Sequence, residues 1–405
     1  MKRTNFIVLV LAQVFVCFGG LAIPPLIPFI QRELVLSYTQ VGSIMTALYL
    51  GAMVISFPAG SLTDRLGVKR MILLPQVFMG AFVIGFSLVG SYWTAILLAF
   101  AMGVGYGMVN PPTTIGIMNL VKKGKRGFAM SVKQTGVPMG SAIAAGLLPS
   151  IAIRFSWRVA LIFAGIVIIL SGLLSQILYQ DHGNEVPLDD TDEISKDPSA
   201  RPLQKKDIIL LGIGGAFCSL VQITLVTYVV LYLKDVRKID VIWATFCLTL
   251  VNIGGVAGRV FWGILSDWLF KGCRNIVLKM IVFLIFLVSF VLGLDFDLPI
   301  VPLFLILILF GFSAIGWNGV FHAFIGELVR GKTAGRAIGL TMTITFIGNL
   351  SGPLIFGMIL DLTHSYRIGW FFLCASMVGA FLMFGLIEEK GIPALPERTV
   401  GIDNH

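Results

Sequence analysis

Gly60–Arg70 reads GSLTDRLGVKR. In a chain that is 57% hydrophobic and 13% charged, this cluster of two glycines, one acid and three basic residues separates two long apolar runs. Soluble domains carry about 25% charged residues, and a mean hydropathy of +0.93 fits lipid as the solvent. The cluster is therefore read as a polar turn between two membrane-crossing helices.

Working outward, twelve apolar runs are long enough to cross a hydrocarbon core of about 30 Å as helices. They span roughly α1 5–30, α2 40–60, α3 71–90, α4 93–120, α5 127–153 and α6 158–179, then α7 207–233, α8 241–264, α9 275–293, α10 299–328, α11 335–360 and α12 367–388. The basic start MKRTN followed by an apolar run is the pattern of a secretory signal, but the run continues to Ile30 without a small-x-small site, so α1 is expected to stay as a span. Most Lys and Arg fall on the loops of one side, and the positive-inside rule puts both termini there, in the cytoplasm. Topology thus accounts for most of the net charge of +9, and no nucleic-acid partner is needed to explain it. The five cysteines form no disulfide framework.

Residues 180–206, QDHGNEVPLDDTDEISKDPSARPLQKK, hold seven acidic and four basic residues and cannot bury enough apolar area to fold alone. They are expected to link two halves, 1–179 and 207–390, with 391–405 a cytoplasmic tail. The halves repeat each other. The end of α2, GSLTD, matches GILSD at the end of α8, so that Gly60 pairs with Gly263 and Asp64 with Asp267. In α4 and α10, Gly103 pairs with Gly311 and Asn110 with Asn318. Both α5 and α11 follow a basic turn and carry a Gly/Pro break, GVPMG and GNLSGP. Two parallel six-helix repeats are what a rocking-bundle transporter requires, with its site between them near the midplane.

GSLTDRLGVKR resembles the loop signature of the major facilitator superfamily, and GRVFWGILSD resembles its weaker second copy. The resemblance implies an all-α membrane protein of 12 transmembrane helices in two six-helix bundles, in the cytoplasmic membrane. It further implies that Asp64 faces a helix N-terminus of the opposite half, where about half a positive charge is available, and that Arg65 pairs with a nearby acid. Gly60 would allow close helix approach and Gly67 the turn, with Lys69 and Arg70 completing a latch that holds the outward-facing state. Gly263 and Asp267 would form its second half. In that copy Trp268 stands where arginine is usual and the glycine is delayed to Gly272, which implies a looser loop. Ala99 occupies the α4 position where proton-coupled members often carry arginine.

Ionisable groups inside a bilayer are costly and usually face a functional cavity. Arg259 is roughly 12 Å into α8 and Lys133 roughly 10 Å into α5. Thr245, Thr249, Asn252 and Arg259 recur on one face of α8, which should line water. Either cation could instead snorkel to the surface, as Lys279 is expected to do. No carboxylate stands at the centre of any span, so two cations without an acid call for an anion. RVFWGILSD also resembles its counterpart in oxalate:formate exchangers, where the resemblance implies a carboxylate-binding arginine in α8. Asn318 and His322 share a face of α10, and Asn110 and Thr114 repeat their spacing in α4. His322 is either a carrier for a coupled proton or a neutral hydrogen-bonding group. Gln134 lies beside Lys133, and Tyr49 is either lining or packing.

No metal-ligand motif, phosphate loop or catalytic triad is present. Gly103, Gly105 and Gly107 read as a packing surface, and neither enzyme activity nor a cofactor is expected. The reading is a monomeric secondary transporter of a small organic anion, a mono- or dicarboxylate, by proton symport or anion exchange. Drug/proton efflux, suggested by the Gly/Pro breaks, and a non-transporting sensor remain as alternatives.

Overall fold

A computed structural model describes residues 2–121, 126–180, 205–270, 273–328 and 334–387. Nearly all of them are helical. The inter-half linker apart from its ends, the tail, the α4–α5 turn and the α10–α11 turn lie outside the described residues. Twelve helical units are long and apolar enough to cross a membrane. The first is α1, formed by Lys2–Gly20 and Ile23–Leu34. One helical stretch, Tyr38–Phe86, is broken by Gly67 and supplies α2 (38–66) and α3 (68–86). Gly67 adopts φ 79°, ψ 159°, backbone space that only glycine enters freely, so the signature's second glycine makes the turn as expected.

Next come α4 (Tyr92–Met108 and Asn110–Leu120), α5 (Arg126–Arg154), α6 (Trp157–Leu178), α7 (Lys205–Asp235) and α8 (Val241–Trp268). The last four are α9 (Arg274–Gly293), α10 (Ile300–Ala314 and Trp317–Leu328), α11 (Ala334–Thr363) and α12 (Tyr366–Gly385). Side chains such as Leu174, Ile264 and Leu305 are apolar yet exposed, as a lipid-facing belt requires. Within each half small residues let backbones touch: a Cβ on Gly103 would collide with the carbonyl of Leu48, and one on Gly258 with that of Phe312.

The two halves meet mainly through α2 against α11 and α5 against α8. Their contact is concentrated at the end away from the chain's start. There the first turn of α2 is fastened to the opposite half. The amides of Tyr38 and Thr39 donate to the Asp361 carboxylate at 2.9 and 2.8 Å, and the Tyr38 hydroxyl donates to Asp235 at 2.9 Å. Tyr228 donates to the carbonyls of Tyr38 and Pro353. At this level Thr249 lies against Gly146 of α5, and Thr245 is buried, bonded to its own helix. The outer part of the α8 polar face therefore packs between the halves and does not line water, which corrects the expectation from periodicity.

At the terminus-bearing end the halves splay. A Cβ on Gly60, Gly263, Gly326 or Gly339 would meet nothing within 4 Å. The residues expected to form a latch at this end make no contact between the halves among the described residues. Asp64 and Arg65 are exposed and make no ion pair or hydrogen bond among the described residues. Asp267 turns to Arg274 of its own half, 2.5 Å away. Gly60 is not a close-packing residue in this state because no helix of the other half reaches it.

Candidate functional site

Among the described residues three of the twelve helices are interrupted, α1 after Gly20 and also α4 and α10, and the last two interruptions bear on the site. In α4 the sequence VNPP places Pro111 and Pro112 where two backbone donors would continue the ladder, so the helix stops at Met108 and restarts at Asn110. In α10 the interruption falls at Ile315–Gly316, at nearly the repeat position. Interrupted helices leave backbone carbonyls unpaired, and in a membrane these must find other donors.

The two cations Lys133 and Arg259 stand against the breaks in α4 and α10, and Arg259 supplies such a donor to Ile315. Lys133, 1% exposed, donates to the carbonyl and the side-chain oxygen of Asn110 at 3.4 and 3.1 Å and to the Thr114 hydroxyl at 2.9 Å. An ammonium has three protons, and all three are placed on α4. Arg259 behaves differently. Its Nε donates to the carbonyl of Ile315 at 3.2 Å, and Nη1 donates to the carbonyl of Gln134 in the opposite half. Of its five N–H groups, the remaining three have no partner among the described residues.

Both cations line a cavity of about 380 Å³ between the halves, within the range that small-molecule sites occupy. Every residue singled out as a substrate contact reaches this lining: Arg259, Lys133, Asn110, Thr114, Asn252, Asn318, His322, Gln134 and Tyr49. They do not all offer free groups. Asn110 and Thr114 cradle Lys133, Asn252 donates to the Leu248 carbonyl at 2.8 Å, and buried Tyr49 packs edge-on against Tyr106. His322 stands one turn beyond Asn318 and is open to the cavity. No aspartate or glutamate lines the cavity among the described residues, and none of them form a group that could hold a metal ion.

Sequence reading missed Gln222, Asn349 and Tyr106, which also line the cavity. Gln222 Oε1 accepts from Trp317 Nε1 at 2.9 Å and from Asn318 Nδ2 at 2.8 Å. With its oxygen so occupied, its amide nitrogen keeps its two protons for other partners. A lone amide inside an apolar span is costly unless bonded, and that signal marks both Gln222 and Asn349. Tyr106 sits within GVGYG, whose glycines mask it as a packing residue.

Comparison with known proteins agrees with this architecture. A model described as the Major Facilitator Superfamily matches residues 9–353. The chain is 24% identical over 380 residues to a hexuronate transporter of Bacillus subtilis (strain 168), covering 88% of this chain and 85% of that one. It is 23% identical to a probable sulfoacetate transporter of Cupriavidus necator, covering 93% and 92%. It is 25% identical to a probable galactarate/D-glucarate transporter of B. subtilis, covering 88% and 85%. Among solved structures, a bacterial homolog of the human lysosomal transporter Spinster, in an inward-facing and occupied conformation, superposes with a TM-score of 0.70 at 16% identity over 94% of each chain. That last likeness concerns the fold. With twelve membrane-crossing helices in two six-helix halves and a family match over most of its length, the chain is a multi-pass membrane transporter of the Major Facilitator Superfamily and not an enzyme.

Proposed function

We propose that this transporter carries a small organic anion, a mono- or dicarboxylate, across the cytoplasmic membrane by alternating access. The observation that carries the reading is the charge of the cavity: two buried cations and no acid among the described lining residues. Buried charges of one sign without a partner are unfavourable, and an incoming carboxylate relieves this while a cationic drug would add to it. The relatives named for hexuronate, sulfoacetate and galactarate or glucarate support the same class.

In this reading Arg259 is the direct ligand. Its three remaining N–H groups, two on Nη2 and one on Nη1, present a fork that matches a carboxylate, while Lys133 contributes charge from its cradle without a proton to offer. Asn318, Gln222 and Asn349 supply polar groups for the rest of the molecule. The terminus-bearing end, taken as cytoplasmic from its basic loops, is the open one. The segment Gly60–Arg70, with Gly263 and Asp267, closes it in the outward-facing state, and residues 1–179 and 207–390 move as the two rocking units of a monomer.

Coupling runs by proton symport or by exchange against a second anion. A proton travelling with the substrate would ride on His322, the histidine among the described lining residues. His322→Gln in proteoliposomes separates the two: loss of the pH dependence of uptake assigns symport, and unchanged pH dependence assigns exchange. The class itself is tested by Arg259→Ala. With membrane insertion intact, carboxylate uptake should vanish, and normal uptake would sink the assignment.

A further inference from the structure

The first turn of any helix leaves amides without intrahelical partners, and each must be satisfied elsewhere. In α2 they are distributed unusually. Ser37 caps Gln40 within the chain, and Gln40 returns the bond to the Ser37 amide, while the Val41 amide bonds the Ser37 carbonyl. The Tyr38 and Thr39 amides are left, and both go to Asp361, some 320 residues on and in the opposite half. The two oxygens of one carboxylate each take one amide. The N-terminus of α2 is capped in trans.

The internal repeat provides a comparison within the molecule. The counterpart of α2 is α8, whose N-terminus is capped by its own Asp240, donating partner Ile242 N at 2.8 Å. The counterpart of α11 is α5, and where α11 carries Asp361 two residues before its end, the last three residues of α5 are Ala152, Ile153 and Arg154, none of which accepts a hydrogen bond through its side chain. The trans cap therefore belongs to one of the two inter-half seams and is not a consequence of the fold.

The helices α2 and α11 run in opposite directions, and each has an aspartate near its C-terminal end: Asp64 on α2, Asp361 on α11. Here Asp361 is engaged and Asp64 is exposed and unpaired among the described residues. We infer that Asp361 is a gating residue of the transport cycle. By capping α2 across the seam it holds the far end closed, and its release is required before that end opens. Around it stand Asp235 on α7, bonded to the Tyr38 hydroxyl, and Tyr228, bonded to the Tyr38 carbonyl. Both hold the same turn of α2 in reach of the carboxylate. When the halves part, the two amides pass to water, so the cap stabilises one state of the carrier without costing the other a buried donor.

Hydrogen–deuterium exchange of the full chain in lipid nanodiscs, without substrate, tests this independently of the cargo. Asp361→Asn keeps the shape and loses the charge. Exchange in 38–46 and 350–362 should become about fivefold faster, the size of a lost N-terminal cap, and peptides at the terminus-bearing end should gain protection together with it. Tyr228→Phe should shift both ends in the same sense but less, and it serves if the first variant does not fold. Asp240→Asn, which removes a cap within one half, should loosen only the start of α8. Faster exchange at the far end with no gain of protection at the other would reduce Asp361 to a local cap and overturn the inference. So would a shift of both ends by Asp240→Asn.

Discussion

Lys133 and Arg259 stand against corresponding interruptions, one in the fourth helix of each half, and both are almost entirely buried. Their hydrogen bonds are nonetheless disposed differently. Lys133 directs its three protons onto Asn110 and Thr114 of its own half. Arg259 gives one donor to the Ile315 carbonyl and one to Gln134 across the seam, and keeps three. A cation with satisfied donors sets the potential of a cavity, and one with spare donors in a planar fork binds within it. In the proposed reading the residue types follow from this: a point charge suffices for the first task, and the second needs a fork.

The largest test of the contrast is Arg259→Lys, which keeps the charge and loses the fork. Truncating a desolvated charge contact typically costs about 2–5 kcal/mol, so transport efficiency, read as initial uptake rate over KM, should fall about 100-fold or more. A mild effect would mean that charge alone is needed and that the two cations are equivalent. Lys133→Met should act through the potential only. At an effective dielectric constant near 20 a charge several ångströms from the anion contributes about 1–2 kcal/mol, so KM for a monocarboxylate should rise about tenfold while saturable uptake persists.

The cradle gives a third test. Thr114→Val removes one acceptor from a buried ammonium, a hydrogen bond to a charged group worth about 1.5–3 kcal/mol. The melting temperature of the purified carrier should fall with little change in KM, and a large rise in KM would make Thr114 a substrate contact. The smallest effect belongs to Gln222→Leu, which leaves Trp317 Nε1 and Asn318 Nδ2 without their shared acceptor. It should weaken a hydroxylated carboxylate about fivefold more than an unsubstituted one.

Much of this was legible in the sequence because lipid makes exceptions conspicuous. The twelve spans follow from length and apolarity. The repeat follows from Gly60 with Gly263 and Asn110 with Asn318, and Lys133 and Arg259 announce themselves as charges where charge is costly. Less legible was which polar groups spend themselves on each other. Asn110 and Thr114 share a helical face with free groups, and only the packing of α5 on α4 reveals that they serve Lys133. Thr245 and Thr249 have the periodicity of a cavity lining but fall where the halves close. The role of Asp361 is invisible to spacing, since its partners Tyr38 and Thr39 offer backbone amides, which every residue but proline possesses. Gly60 was expected to pack closely, and its surroundings are open instead, since spacing along the chain does not say which helix of the other half comes near.

The central claim is that a carboxylate binds the carrier through Arg259 while Lys133 only biases the site. It is tested most directly by thermal-shift titration of the purified wild-type, Lys133→Met and Arg259→Lys carriers against one panel of mono- and dicarboxylates. At least one carboxylate should raise the melting temperature of the wild type, and should raise that of Lys133→Met at about tenfold higher concentration. Arg259→Lys should show no shift over the same range. Equal loss in both variants, or a retained shift in Arg259→Lys, would contradict the division of roles between the two halves.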